Sequence, residues 1–400
     1  MSGRHAISRR KLLGGLAGGA LAGAGLAALA QQASGAPSAA TRAPRQRAAA
    51  GLPLTIVNNT GQFDNASIWV YIVGNSGDQQ VHVTPEGEAV PVSLDDNGSD
   101  GYTDYAIPLA SSGDTTLTLP QMSGRIYVAL GSKLKFKAVE DGNGRPALAY
   151  PAGWVESDPN YQVLHDCAEF TYNSGGMYCN TTMVDMFSVP LSIHLTGAND
   201  QRTGTVREGG RSQVFSRLAD LDPFGSLVVD DLRVIAPGHG LDAGRFPTDY
   251  LDPYIDQVWS RYEGTDLSVT TNAGTFTGRV SGGRFTFGGP AEVSFDRPST
   301  RDVFFCDGAL AAPNDGTTGP VAAILGAGFN RGVLHSHAEQ PVTDASAFYG
   351  TDLTNHYAKV MHEVTEDGKA YGFAFDDVAG FASYIEDGAP QQITLTLTPF

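Results

Sequence analysis

The segment spanning residues 166–195 holds the residue types and spacing that are best able to do chemistry. Residues 169–173, Glu-Phe-Thr-Tyr-Asn, alternate with a period of two. This pattern predicts a strand with Glu169, Thr171 and Asn173 on one face and two aromatic rings on the other. A carboxylate, a hydroxyl and a carboxamide in one row could bind a ligand rich in hydroxyl groups.

A second acidic residue follows in the same segment. Residues 174–176, Ser-Gly-Gly, predict a turn, and residues 177–187 lead back from it with Asp185 near their end. We expect a hairpin-like return to bring Asp185 beside Glu169. Since burying either carboxylate without partners would be costly, both are expected to line an open cleft.

Two carboxyl groups at one site could cleave a glycosidic bond, because one protonates the leaving oxygen while the other activates water or attacks the sugar directly. Spacing alone does not establish this chemistry for Glu169 and Asp185, which form one of many acidic pairs among 43 Asp and Glu residues. Surface solvation and a structural salt bridge are the alternatives.

The elements around this segment are predicted to be strands. From Leu52 to about Leu195, short alternating runs such as 67–73, 115–119 and 125–130 are separated by turn clusters. The C-terminal runs 370–375 and 392–398 are also predicted to be strands, and apolar and polar residues alternate along the second of them. These patterns predict a mainly β fold, with a sandwich or barrel domain formed by residues 51–195 and 368–400.

The intervening residues 196–367 have a different pattern. Apolar residues recur at helical spacing in 212–221, 248–262, 321–333 and 353–364, and strands such as 267–271 and 284–287 lie between them. We predict an inserted, mixed α/β domain. A wide groove between the two domains would accommodate a long ligand.

The first 50 residues are predicted to be separate from this fold. Arg9, Arg10 and Lys11 precede an apolar stretch that ends in Ala28-Leu29-Ala30, so residues 1–30 are predicted to be a twin-arginine signal peptide. Residues 31–50, rich in Ala, Pro and Gln, are predicted to be a disordered leader. The alternative, a transmembrane helix, is disfavoured because Gly and Ala make this stretch weakly hydrophobic. We therefore expect a secreted, extracellular protein without membrane association in its mature form.

Charge narrows the range of partners. Residues 51–400 contain all 43 Asp and Glu but only 19 of the 26 Lys and Arg, which gives a net charge of −24. So acidic a surface repels nucleic acid and anionic lipid, and neither is an expected partner. A neutral polysaccharide is compatible with this charge, although solubility alone also explains it. The sequence has neither a glycine-rich phosphate loop nor zinc-ligand spacing, so we predict no cofactor and no metal.

Three cysteines lie beyond the leader, and an odd number allows at most one internal disulfide. Cys167 lies beside the Glu169 strand and is expected to be simply buried. The favoured disulfide joins Cys179 to Cys306.

Several separated stretches carry a family resemblance. They are Glu-Phe-Thr-Tyr-Asn at 169–173, Met-Tyr-Cys-Asn-Thr at 177–181 followed by Val184-Asp185, Phe-Asn-Arg at 329–331, residues 355–360, residues 367–373, and Asp-Asp-Val at 376–378. Together they resemble glycoside hydrolase family 64, which includes the laminaripentaose-producing β-1,3-glucanases of actinobacteria. The similarity extends from about Leu52 to Phe400. The last stretch, with the β pattern around it, also resembles thaumatin-like domains, whose acidic cleft binds β-1,3-glucan.

The resemblance implies a thaumatin-like fold and an inverting enzyme that releases laminaripentaose. It implies that Glu169 is the general acid, that Asp185 is the general base, and that Thr171 and Asn173 contact the sugar. Tyr178 stands at an aromatic flap position where the family is expected to carry Trp, a difference that concerns sugar stacking rather than the chemistry. An inverting pair of carboxyl groups lies about 6.5–9.5 Å apart with water between them, against about 5–5.5 Å for a retaining pair.

Two further acids follow the predicted strand at 370–375. Asp376 and Asp377 are predicted to lie on the rim of the cleft and to contact the glucan, and a turn or cap role is the alternative. The chain is expected to act as a monomer on β-1,3-glucan. The alternative function is that of a non-catalytic, thaumatin-like glucan-binding or antifungal protein, which would bind laminarin without releasing new reducing ends.

Overall fold

The computed structural model describes residues 51–400, so the predicted signal peptide and leader lie outside the described residues. The strands are β1 (Leu52–Asn58), β2 (Ile68–Ser76), β3 (Gln79–Val83), β4 (Ala89–Pro91), β5 (Ile107–Pro108), β6 (Thr115–Leu119), β7 (Met122–Leu130), β8 (Lys137–Glu140), β9 (Pro146–Ala149), β10 (Leu164–Asn173), β11 (Gly176–Thr181), β12 (Met186–Phe187), β13 (Leu191–Thr196), β14 (Asp200–Thr203), β15 (Val228–Val229), β16 (Arg233–Ile235), β17 (Leu267–Thr271), β18 (Gly274–Ser281), β19 (Arg284–Gly288), β20 (Val293–Asp296), β21 (Glu339–Gln340), β22 (Tyr384–Asp387) and β23 (Gln392–Leu397). The α-helices are α1 (Gly210–Ala219), α2 (Pro237–Asp242), α3 (Asp252–Gly264), α4 (Thr300–Phe305), α5 (Thr318–Asn330) and α6 (His356–Val364).

The described chain divides into two compact units. The β unit comprises residues 51–181, Val189–Thr205 and Tyr384–Phe400, and the α/β unit comprises Thr182–Ser188 and Val206–Ser383. These boundaries differ from the predicted ones at 195/196 and 367/368. The first moves because β14 pairs with β13 in the β unit, and the second because residues 368–383 pack within the α/β unit.

The β unit contains two large sheets that share one apolar core. One sheet has the order β14-β13-β23-β1-β6, and the other has the order β22-β11-β10-β7-β2-β3-β4, with β5 also paired to β2. In β1 the alternating residues Leu52, Leu54 and Ile56 point into the core, where they meet residues of the second sheet such as Ile126 and Phe170. Each such buried side chain contributes about 1.5–3 kcal/mol. The predicted mainly β fold is confirmed, and its architecture here is a sandwich.

The α/β unit has its own core. Its five-stranded sheet has the order β20-β19-β18-β17-β21, and a three-stranded sheet has the order β12-β16-β15. Helix α3 buries Tyr254, Ile255, Val258 and Trp259, four of the five residues that helical periodicity placed on one stripe, and it also buries Tyr262. The helices predicted at 212–221, 248–262, 321–333 and 353–364 are all present, with ends shifted by a few residues. Within residues 51–400, no helix combines the length and the apolar character that a membrane crossing needs.

The strand predicted at 370–375 is wrong. Residues 370–372 have no regular structure, residue 373 is a bend, and residues 374–375 lie in a turn. The backbone groups of this segment bond to neighbours outside any sheet. Met183 N donates to Tyr371 O at 2.9 Å, and Gly372 N donates to the Asp376 carboxylate at 3.0 Å. A short run of mostly apolar residues therefore does not identify a strand when a nearby side chain bonds to the backbone.

Candidate functional site

Glu169 lies in the middle of β10, between β7 and β11 in the larger sheet of the β unit. Its register partners are Arg125 on β7 and Asn180 on β11. Successive side chains alternate across the sheet, so Thr171 shares the face of Glu169 while Phe170 packs into the core on the opposite face. The predicted alternation along this strand is confirmed.

The Glu169 carboxylate is held from both neighbouring strands. Arg125 donates from Nε at 3.1 Å and from Nη2 at 2.9 Å to Oε1, and Asn180 Nδ2 donates to Oε2 at 3.1 Å. Glu169 is only 7% exposed, and the expectation that it lines an open cleft rested on the cost of burying a carboxylate without partners. Its two partners offset the cost of burial that motivated that expectation.

The Arg125 guanidinium is itself oriented by a buried phenol. Nη1 donates to the Tyr127 hydroxyl at 3.2 Å, and the Tyr127 ring packs edge-on against Phe136 with centroids 5.4 Å apart. Burial raises the pKa of Tyr127, so the phenol remains neutral. Arg125 is consequently fixed at one end by a core aromatic group and at the other by Glu169.

Thr171, Asn173 and Tyr178 continue the polar face toward the hairpin turn. Ser123 Oγ donates to Thr171 Oγ1 at 3.0 Å, and Thr171 is buried. Asn173 Oδ1 accepts from Gly175 N at 2.7 Å and so closes the turn between β10 and β11. Tyr178 lies opposite Thr171 in the register and is half-buried, as is Asn173. The structure thus brings these three predicted residues onto one face.

The same face extends to the edge strand β22. Tyr384 lies opposite Asn180, and Glu386 lies opposite Tyr178. The Tyr384 hydroxyl donates to Glu386 Oε2 at 2.5 Å, and burial together with this carboxylate raises the pKa of Tyr384. Sequence analysis missed these two residues because about 200 positions separate them from the hairpin.

Asp185 belongs to the α/β unit and not to the hairpin. The chain leaves β11 at Thr181, and Asp185 immediately precedes β12, which pairs with β16. Its carbonyl accepts from Ala236 N at 3.0 Å, and its Oδ1 accepts from His239 Nε2 at 2.7 Å. The Asp185 side chain is 14% exposed. The predicted hairpin-like return therefore ends at Thr181, and Asp185 is positioned by the α/β unit instead.

Asp376 is not on a rim, and the prediction that it contacts substrate is wrong. Its side chain has no exposed surface. Oδ1 accepts from Arg331 Nη2 at 3.1 Å, and Oδ2 accepts from His362 Nε2 at 2.9 Å and from Gly372 N at 3.0 Å. The neighbouring Asp377 is half-buried and precedes a short turn of 3-10 helix at 378–380.

The predicted disulfide between Cys179 and Cys306 is also wrong. Cys167, Cys179 and Cys306 are buried thiols, and the latter two lie in different units. Cys179 Sγ lies 3.8 Å from Ile385 O in the β unit, and Cys306 Sγ lies 3.5 Å from Val303 O in the α/β unit. Among the described residues, no group of three or more His, Cys, Asp or Glu side chains is arranged to hold a metal ion.

Sequence comparison relates the chain to glucan-hydrolysing enzymes. A family model described as β-1,3-glucanase, glycoside hydrolase family 64, matches residues 50–397. The chain is 34% identical over 380 residues to a glucan endo-1,3-β-glucosidase of Arthrobacter sp. (strain YCWD3), covering 90% of this chain and 67% of the relative.

Structural comparison agrees with the sequence match. The chain is similar to a laminaripentaose-producing β-1,3-glucanase solved in complex with laminaritetraose, with a TM-score of 0.80 and 37% identity over 88% of this chain and 99% of the other. It is also similar to a β-1,3-glucanase domain of family 64 from Clostridium beijerinckii, with a TM-score of 0.77 and 29% identity over 90% of this chain and all of the other.

Proposed function

The chain belongs to glycoside hydrolase family 64, the β-1,3-glucanases. On that premise we propose that it hydrolyses the glycosidic bond with inversion of configuration at the anomeric carbon, with Glu169 as general acid and Asp185 as general base. In this mechanism Glu169 gives its proton to the leaving glycosidic oxygen. Asp185 takes a proton from a water molecule that attacks the anomeric carbon from the opposite face. The assignment requires about 6.5–9.5 Å between the two carboxyl groups, enough for that water.

The hydrogen bonds of Glu169 carry this proposal. A general acid has to be held in place in both of its protonation states. Arg125 orients Oε1, while the Asn180 carboxamide contacts Oε2. A carboxamide contains both a donor and an acceptor, so Asn180 can hydrogen-bond either the carboxylate or the carboxylic acid.

Sugar recognition is assigned to the same polar face and to one further acid. Asn173 and Tyr178 are partly exposed, so we assign hydrogen bonding to the first and ring stacking to the second. Thr171 is buried against Ser123, and its assigned role is to align the face next to Glu169. Asp377 is the remaining candidate for substrate contact.

Related solved structures support oligomers of β-1,3-linked glucose as ligands, since one neighbour is a complex with laminaritetraose. We extend the pentaose product of that neighbour to this chain. We also propose that the β unit has a thaumatin-like fold. We propose that residues 1–30 direct export by the twin-arginine route. We also propose that the exported protein acts as a monomer.

Glu169→Gln tests the acid assignment, because the amide cannot supply a proton. We expect laminarin hydrolysis, measured as new reducing ends, to fall by about 10²–10⁴-fold or more. The circular dichroism spectrum should stay unchanged. Glu140→Gln, an exposed substitution on β8 in the same unit, is the matched control and should keep wild-type activity. Wild-type activity of Glu169→Gln would sink the assignment.

The stereochemistry of the first product tests inversion independently. Proton NMR during the first minutes of hydrolysis should show the α-anomer, which later equilibrates. An initial β-anomer would indicate retention and would exclude the water-activating role of Asp185. Sizing the products by chromatography tests the pentaose proposal in the same reaction.

A further inference from the structure

Helix α2 makes two contacts with Asp185. Ala236, the residue before the helix, donates its backbone N–H to Asp185 O at 3.0 Å. His239, in the first turn, donates from Nε2 to Asp185 Oδ1 at 2.7 Å. His239 is only 8% exposed. The backbone and the carboxylate of Asp185 are therefore both tied to one short helix.

The His239 ring is located in turn by helix α4. Phe305, which is buried, meets the imidazole edge-to-face, with ring centroids 5.7 Å apart and an interplanar angle of 86°. The Arg301 guanidinium lies over the ring of Phe305, with its central carbon 4.2 Å from the ring centroid. A guanidinium over a ring face is attracted to it electrostatically, so Arg301 stabilises the position of Phe305.

Arg301 also closes the arrangement back onto α2. Its Nε and Nη2 donate to the two carboxylate oxygens of Asp242 at 2.9 and 3.0 Å. Asp242 lies one turn after His239 on the same helix. The Arg301–Asp242 ion pair and the contact between Phe305 and His239 thus both connect α4 to α2.

We propose that His239 is a positioning residue for the catalytic base, that it fixes the orientation of the Asp185 carboxylate, and that Arg301 and Phe305 act on catalysis through His239. The hydrogen bond at Oδ1 restricts rotation of the carboxylate about its Cβ–Cγ bond, so it favours one direction for Oδ2. Activation of water depends on that direction, since a small misplacement of a reacting group can cost about 10²-fold in rate. The inference rests on Asp185 being the base.

His239→Ala and His239→Gln form the decisive pair of variants. Loss of the donor in His239→Ala should lower kcat by about 10–100-fold, the usual range for a residue that orients a reacting group. KM for laminarin should stay within about twofold, because His239 is not assigned any contact with the sugar. Gln carries an N–H donor at similar reach, so His239→Gln should recover most of kcat.

A double-mutant cycle tests the action through His239. Arg301→Gln alone should lower kcat by a few-fold. Adding Arg301→Gln to His239→Ala should cause no further loss, because groups that act through one residue are not additive. Arg297→Gln breaks another surface ion pair of the same unit, that with Asp256, and should leave kcat at the wild-type value. Independent, multiplicative losses for Arg301 and His239 would overturn the relayed role.

Failure of this inference is distinguishable from failure of the proposed function. If Asp185→Asn retains activity, the base assignment fails, and the positioning role fails with it. If Asp185→Asn is inactive while folded His239→Ala has wild-type kcat, only the inference is overturned. Should His239→Ala not fold, the result rests on His239→Gln and Arg301→Gln. Unchanged kcat in Arg301→Gln, or a KM effect without a kcat effect in either variant, would then overturn it.

Discussion

We predict that Asp376→Asn destabilises the α/β unit and leaves the KM for laminarin unchanged. The Asp376 carboxylate lies in the interior of the α/β unit, where it accepts hydrogen bonds from the Arg331 guanidinium and the His362 imidazole. Asp376→Asn keeps the shape of the side chain but removes its charge. It also turns an N–H₂ donor toward a site occupied by donors.

The expected cost follows from burial. Arg331 is 2% exposed and makes further bonds from Nη1 to Val378 O at 2.9 Å and from Nη2 to Asp376 O at 2.9 Å. It also stacks on Phe348 at 4.7 Å, so it cannot move out to water without opening this part of the core. Removing one member of a buried ion pair typically costs about 3–5 kcal/mol, because the remaining charge is uncompensated. That is a large part of the roughly 5–15 kcal/mol by which proteins of this kind are stable.

Thermal unfolding measures this cost. For domains of 150–250 residues each kcal/mol shifts Tm by about 2–4 °C, so Asp376→Asn should lower Tm by about 6–20 °C. Asp377→Asn is the matched control, since it is the adjacent aspartate and is half-buried. It should change Tm by no more than about 2 °C. Below the unfolding transition, the KM of Asp376→Asn for laminarin should equal that of the wild type.

The opposite pattern would refute the reasoning. If Asp376→Asn unfolds at the wild-type temperature and raises KM several-fold, then Asp376 contacts the glucan as the sequence alone suggested. A Tm loss of equal size in Asp377→Asn would likewise contradict the special role of the buried pair.

Three further outcomes are expected. Both ring nitrogens of His362 face acceptors, Gly368 O and Asp376 Oδ2. Burial by itself lowers the pKa of His362, but the Asp376 carboxylate and the Gly368 carbonyl have the larger combined effect and raise this pKa above its ordinary value. Its contribution to the free energy of unfolding should therefore be complete below pH 6.5 and decline as pH rises through the raised pKa, a dependence that urea titrations should find reduced in His362→Gln; a parallel dependence in both would contradict it. Without reductant, a thiol reagent should react with Cys167, Cys179 and Cys306 only after denaturation, and all three should then react. A single reactive thiol in the denatured protein would show that the other two cysteines form a disulfide. Phe170→Ala should lower the free energy of unfolding of the β unit by about 3–5 kcal/mol, and a loss under 1 kcal/mol in urea denaturation would contradict its place in the core.

Local patterns in the sequence determined where several strands and helices form and which of their side chains share a face. The period of two along residues 169–173 predicted both the strand and the face that Glu169 shares with Thr171, because side-chain direction in a strand depends only on position parity. Helical periodicity likewise predicted the buried stripe of α3. A turn of known length after Asn173 would also have predicted that Asn180 lies opposite Glu169, since the register of a hairpin follows from its turn.

Tertiary structure alone decided the partners that make these residues a site. Arg125 reaches Glu169 only because β7 lies beside β10, and no local pattern encodes the order of strands in a sheet. The same holds for His239 and Asp185, which are joined across 54 positions. Asp376 shows the same dependence, because its neighbours in the chain, such as Phe375 and Val378, do not reveal that Arg331 and His362 hold its carboxylate in the fold. Burial of a side chain and the pairing of its charge depend on how the chain packs, and the sequence by itself does not contain the distances that determine them.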